Sequence, residues 1–134
     1  MYHCRLFLTI LTFAVLVACG GNPGNTSNSK KVRIEFEKNT YDFGELDFGG
    51  NGTCEFVFKN EGKEPLILLN VRTTCGCTVP DWPDKPVKGG ESGIIRVSYD
   101  TYRVGAFTKA ITVYSNAANS PVRLFIKGRV KPKE

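Results

Sequence analysis

From Val32 onward apolar side chains recur at every second residue, and that period rules out most of what a chain of 134 residues can become. Val32, Ile34 and Phe36 alternate with Arg33, Glu35 and Glu37. Cys54, Phe56 and Phe58 alternate with Glu55, Val57 and Lys59, and Val122, Leu124 and Ile126 with Arg123, Phe125 and Lys127. A period of two places alternate side chains on opposite faces of an extended strand, so these segments read as half-buried strands. Leu66 to Val71 (LILLNV) and Ile94 to Tyr99 (IIRVSY) are apolar on both faces over part of their length, the pattern of strands in the middle of a sandwich. Ala106 to Tyr114 is rich in β-branched and aromatic residues and is a further strand.

Turn residues separate these runs: Gly49 to Gly52, Asn60 to Gly62, Pro80 to Gly90 and Ser115 to Pro121. About seven strands with close turns, no helical stretch and no internal repeat predict an all-β fold. The expectation is an immunoglobulin-like antiparallel β-sandwich over residues 32–134, with a small barrel as the alternative. A content of 41% hydrophobic residues is enough for one compact core.

The segment before Val32 belongs to export. Arg5 gives a short basic start, Leu6 to Val17 is an unbroken apolar run, and Leu16-Val-Ala-Cys19 follows. The run is about 12 residues, against the ~20 that a spanning helix needs, so residues 1–18 read as a cleaved signal peptide. LVAC resembles the bacterial lipobox, which predicts a lipidated Cys19 at the mature N-terminus and a membrane anchor carried by several acyl chains. Residues 19–31 then form a flexible tether of Gly, Asn and Ser, with a reach of about 20 Å. Gly20, rather than Asp, follows the cysteine, which resembles the pattern for the outer membrane, facing the periplasm.

Loss of Arg5 with the signal peptide leaves 17 Lys and Arg against 13 Asp and Glu, a formal charge of +4. So mild a charge, with no arginine-rich arm, implies no nucleic-acid partner. Cleavage also removes His3 and Met1, the only histidine and methionine. Serine–histidine and cysteine–histidine catalysis and histidine-ligated metal are then excluded, and no glycine-rich turn opens a helix to cradle phosphate. No cofactor is expected.

Three thiols remain. Cys54 lies on the apolar face of its strand and reads as a small core residue. Cys75-Gly-Cys77 admits three readings: a disulfide, as export to an oxidising compartment favours; a redox pair; or a soft-metal site for copper(I) or zinc built on sulfur alone. Bridging two residues two apart needs a tight turn, for which Gly76 can supply backbone angles closed to other residues. Two surface features add candidates. Trp82, among the prolines of Pro80-Asp-Trp-Pro-Asp-Lys-Pro86, is either a binding anchor or a plug for the sandwich end. Arg123, Lys127, Arg129 and Lys131 share one strand face and form a basic stripe, either solvated or open to an acidic surface.

Taken together, Cys75-Gly-Cys-Thr78, Gly90-Glu-Ser-Gly93, Ile95-Arg-Val-Ser-Tyr-Asp100, Gly105-Ala-Phe-Thr-Lys109, Val113-Tyr-Ser-Asn116 and Gly128 resemble the bacterial family named domain of unknown function fifteen-seventy-three. Phe58-Lys-Asn60, Gly62 and Pro65-Leu66 match its earlier block, so the likeness covers about Tyr41 to Val130. The resemblance implies an exported or lipid-anchored immunoglobulin-like sandwich, related in shape to the scaffold modules of sperm-protein and cilium-associated type, with no assigned activity. Cys54 is outside its pattern. The expectation is therefore a lipid-anchored, non-catalytic envelope module that binds a protein or glycan. Its rival is a thiol redox or copper protein using Cys75 and Cys77.

Overall fold

A computed structural model of the chain describes residues 32–134, all of whose regular structure is β. The strands are β1 (Ile34–Phe36), β2 (Thr40–Leu46), β3 (Thr53–Asn60), β4 (Leu68–Thr73), β5 (Thr78–Asp81), β6 (Ser92–Tyr99), β7 (Gly105–Ser115) and β8 (Val122–Val130). They form two four-stranded sheets, β1-β3-β6-β5 and β2-β8-β7-β4, facing each other as a sandwich. The fold is the expected one, with eight strands rather than about seven. Part of the excess is β5, whose last two residues, Pro80 and Asp81, fall inside the segment read as a turn. Proline has no N–H to give a ladder, and it is accommodated because β5 is an edge strand that pairs only with β6.

Two further differences concern pairing. β2 runs parallel to β8, so the second sheet is mixed, whereas the expectation was antiparallel throughout. And LILLNV does not lie in the middle of a sheet: β4 is an edge, with Ile67 40% and Leu69 63% exposed. Leu66 and Leu68 are buried and Ile67 and Leu69 exposed, so the run alternates and buries one face; after the register shift between Leu68 and Asn70 the next buried residue is Val71 rather than Asn70.

The core includes the faces that the alternation marks on β1, β3 and β8, joined by residues of β6 and β7. Phe56, Phe58, Ile95, Ile111, Leu124 and Ile126 are fully buried between the sheets, and a large aromatic or branched side chain contributes about 1.5–3 kcal/mol when it is removed from water. The partners of these strands in the interior also include Asn60, buried at the end of β3 and fully hydrogen-bonded.

The sandwich has two distinct ends. At one, Val32 accepts a hydrogen bond from the Ala118 amide (3.0 Å), and Asn119 clasps the backbone of Ile34 through Oδ1 (3.2 Å) and Nδ2 (2.7 Å). At the other, the Gly49 amide bonds to the Thr101 carbonyl (3.1 Å), and the 100–104 turn leads into β7. β7 spans the distance between them, roughly 35 Å for its 11 residues at ~3.3 Å each. Residues 1–31, with the signal peptide, Cys19 and the tether, lie outside the described residues.

Candidate functional site: a disulfide-locked strand crossover

β4 and β5 are consecutive in sequence but belong to different sheets, and the turn that carries the chain across is Cys75-Gly-Cys77. Cys75 and Cys77 are joined in a disulfide with Cα atoms 5.3 Å apart, inside the usual range of 4.4–6.8 Å. Two extended residues would span ~6.7 Å, so the bridged pair cannot continue as strand. Cys77 is buried in the core, and Cys75 is half-buried against it. The Thr73 hydroxyl lies within hydrogen-bond reach of the carbonyls of Cys75 (3.0 Å) and Thr78 (3.1 Å), and the Thr78 amide donates to the Cys75 carbonyl (3.4 Å). The Asp100 amide donates to the Cys77 carbonyl (2.8 Å), seating the turn beside the distal end of the sandwich.

The expected contribution of Gly76 needs correction. Gly76 is not among the glycines with positive φ, and a Cβ there would meet nothing within 4 Å. The tight turn is made by the bridge and the threonine hydroxyl, not by glycine's conformational freedom.

Cys54 takes no part in this turn. Its thiol is free and buried on β3, and burial, reinforced by the neighbouring Glu55 charge, pushes its pKa up from 9.0 to about 12. A thiol is the protonated form, so the folded state holds this proton where the unfolded chain releases it. The stabilisation is complete below about pH 9 and is lost as pH rises toward 12. Alkylation at pH 8 should therefore leave Cys54 unmodified in the native protein and label it fully in denaturant, as read by intact mass. Native labelling at the rate of a free thiol would contradict the buried placement. Among the described residues no group of three or more Cys, His, Asp or Glu is placed to hold a metal ion.

Trp82 packs partly against the core, and it also lines a shallow depression of about 210 Å³ with Asp81, Pro83, Ile94 and Arg96. Arg96 is held there by Glu55, its Nη2 and Nε donating to Oε1 at 2.9 and 3.2 Å.

The basic stripe of β8 does not stand alone. The parallel register of β2 sets Asp42 against Lys127 and Glu45 against Arg129. Lys127 pairs with Asp42 (3.6 Å), and beyond the strands Lys131 pairs with Asp47 (2.7 Å). Such exposed pairs contribute little stability, but they cancel much of the field that would draw an acidic surface. Arg129 faces Glu45 in the register without a salt bridge, and Arg123, opposite Thr112 on β7, forms no ion pair with any described residue.

The alternation of β1, β3 and β8 could not reveal an apolar cluster in the loops of the distal end. Tyr102 is 69% exposed and Val104 54%, and Phe48 meets the Tyr102 ring edge-on at 5.3 Å between centroids. The available signal was composition: a tyrosine and a valine within the otherwise polar turn Asp100 to Val104.

A family model described as protein of unknown function (DUF1573) matches residues 34–130. The chain belongs to this family. The matched span runs from the first residue of β1 to the last of β8, so the DUF1573 unit is the whole sandwich, beginning one strand earlier than the likeness read from Tyr41. Among solved structures, the chain is similar to a protein of unknown function from Porphyromonas gingivalis W83. The two are 19% identical, with a TM-score of 0.67 over 81% of this chain and 51% of that one. A PapD-like domain of human CEP192 is 10% identical with a TM-score of 0.64, over 99% of this chain and all of that domain. The secreted serine protease VesC from Vibrio cholerae is 14% identical with a TM-score of 0.56, over 73% of this chain and 23% of its own. The chain thus spans about half of the Porphyromonas protein and under a quarter of the protease, and at these identities the likeness is one of fold. No curated protein matches the chain. The fold of the chain is an immunoglobulin-like sandwich, similar to that PapD-like domain.

Proposed function

We propose that the mature chain is a lipid-anchored, non-catalytic binding module of the bacterial envelope, held through Cys19 to the outer membrane on its periplasmic side. The observation that carries this reading is the polarity of the sandwich. Val32, where the tether joins, lies at one end, and the apolar cluster of Phe48, Tyr102 and Val104 lies about 35 Å away at the other. A tether attached at the first end points the second away from the membrane. Exposed apolar side chains gathered on one surface of a soluble domain are the usual mark of a contact site.

Cys19→Ala should move the protein from the membrane to the soluble fraction with its β-sheet circular dichroism unchanged, because anchor and sandwich meet only through the tether. Retention on membranes would overturn the anchoring. A photo-crosslinking residue in place of Tyr102 should capture one discrete partner in intact cells, and the same residue in place of Arg33, at the tethered end, should not. Equal capture from both positions would overturn the polarity.

A second reading, thiol–disulfide exchange, rests on the Cys75–Cys77 bridge with its half-buried Cys75. Turnover in insulin reduction that is abolished by Cys75→Ser would favour it.

A further inference from the structure

The second sheet contains a strand position that is only half filled. β8 covers β7 along one side, from Gly105 opposite Val130 to Val113 opposite Val122. On the other side β4 pairs with β7 only from Ser115 back to Ile111, and the last backbone bond runs from the Thr74 amide to the Ala110 carbonyl at 3.3 Å. Past that bond the chain turns through the disulfide into the other sheet. The bridge keeps the position vacant, since residues held at 5.3 Å cannot extend alongside β7.

The Thr74–Ala110 bond also fixes which groups face the vacancy. In an antiparallel strand the N–H and C=O of one residue point to the same side, and the direction repeats every second residue. Ala110 faces β4, so Thr108 and Ala106 face the empty continuation of β4. Both are exposed, and neither makes a backbone hydrogen bond on that side with any described residue. Their outward side chains are small, leaving the position sterically open.

Directly after Thr108 comes Lys109. It stands on the core-facing parity of buried Phe107 and Ile111, is half-buried, and forms no ion pair with any described residue. β4, β7 and β8 contain no Asp or Glu, so none of the three strands supplies a carboxylate to balance it. An inward lysine at an open edge discourages pairing with a second apolar strand, including another copy of the same edge.

We propose that the vacant position beside residues 105–109 receives an extended peptide segment of a partner protein, which adds a strand to the sheet and sets a carboxylate against Lys109. This rests on the binding-module reading and names its partner class. Ala106 and Thr108 supply two donors and two acceptors, and the opening takes about five residues at ~3.3 Å each. Lys109 provides the selection: it opposes an apolar strand and forms an ion pair with an acidic one. The opening is continuous with exposed Val104 and Tyr102, which precede β7 directly.

The test is selection from a displayed library of random octapeptides on the detergent-solubilised full chain. Enriched sequences should alternate β-branched residues with at least one Asp or Glu. A bound peptide should slow amide exchange of Ala106 and Thr108 by about tenfold or more. Lys109→Glu should weaken it about tenfold and shift selection toward basic peptides. Ala106→Pro, which removes an outward N–H without touching the pairing to β8, should weaken it similarly. Failure to enrich any sequence, protection of amides elsewhere, or unchanged affinity in both variants would overturn the proposal. Binding that protects residues around Trp82 instead would overturn this site while leaving the binding module standing, and capture from Tyr102 in cells reads that module independently.

Discussion

Phe58→Ala is expected to lower the free energy of unfolding by about 3–5 kcal/mol, a large share of the ~5–15 kcal/mol available to a domain of this kind. The ring is fully buried on β3, opposite Phe36 of β1 on one side and Gly93 of β6 on the other. Phe36 meets it at 5.7 Å between centroids, and on the other flank the ring occupies the space a side chain at 93 would need. A Cβ built on Gly93 would lie 2.5 Å from Phe58 Cζ and about 3 Å from two further ring carbons. Gly93→Ala should therefore destabilise the native protein by about 1–3 kcal/mol. In the Phe58→Ala background the methyl enters the cavity, and the same change should be neutral or stabilising. Denaturant midpoints of the four proteins measure the coupling, expected at about 1–3 kcal/mol. Strict additivity would show that the ring does not depend on the glycine.

Asn60→Ala is expected to cost about 2–4 kcal/mol, because it breaks three hydrogen bonds, two of them buried, and leaves the Gly62 amide without its acceptor. The side chain is wholly inaccessible. Its Nδ2 donates to the carbonyls of Glu64 (2.7 Å) and Val87 (3.0 Å), and its Oδ1 accepts from the Gly62 amide (2.9 Å). The Gly90 amide bonds to the Asn60 carbonyl (2.8 Å), so one residue ties the end of β3 to both neighbouring loops. The Val87 carbonyl keeps a second donor, the Leu66 amide, whereas Gly62 is buried and loses the acceptor it has. Native-state hydrogen exchange at Gly62 should accelerate well beyond the change in global stability. Exchange that tracks global unfolding alone would show that water replaces the lost acceptor.

The two residues act close together: a ring that fills a glycine's space stands two residues from an amide that closes two loops. The crossover has a comparable logic. The cysteine pair ends the run of β4 along β7, Thr73 braces the turn, and the consequence appears on β7, where Ala106 and Thr108 are left without a neighbour.

The sequence by itself determined which residues face inward. Phe56, Phe58, Leu124 and Ile126 are buried as their alternation requires, and Cys54 lies in the core for the same reason, because burial of a strand face is written at a period of two. It also determined the sandwich, since half-buried strands with short turns have few other ways to cover their apolar faces. What it could not determine was which strands become neighbours. Pairing joins residues far apart in the chain and is selected by the packing of both sheets at once, with no local signature. The parallel partnership of β2 with β8 therefore had to come from the structure, and it sets acidic residues beside the basic stripe, pairing Lys127 with Asp42. So did the edge position of β4, which leaves Leu69 exposed in a run that reads as interior. The vacancy beside Ala106 and Thr108 belongs to the same class: it exists only because one strand changes sheets before the other ends, a mismatch of lengths that appears when the two are laid side by side.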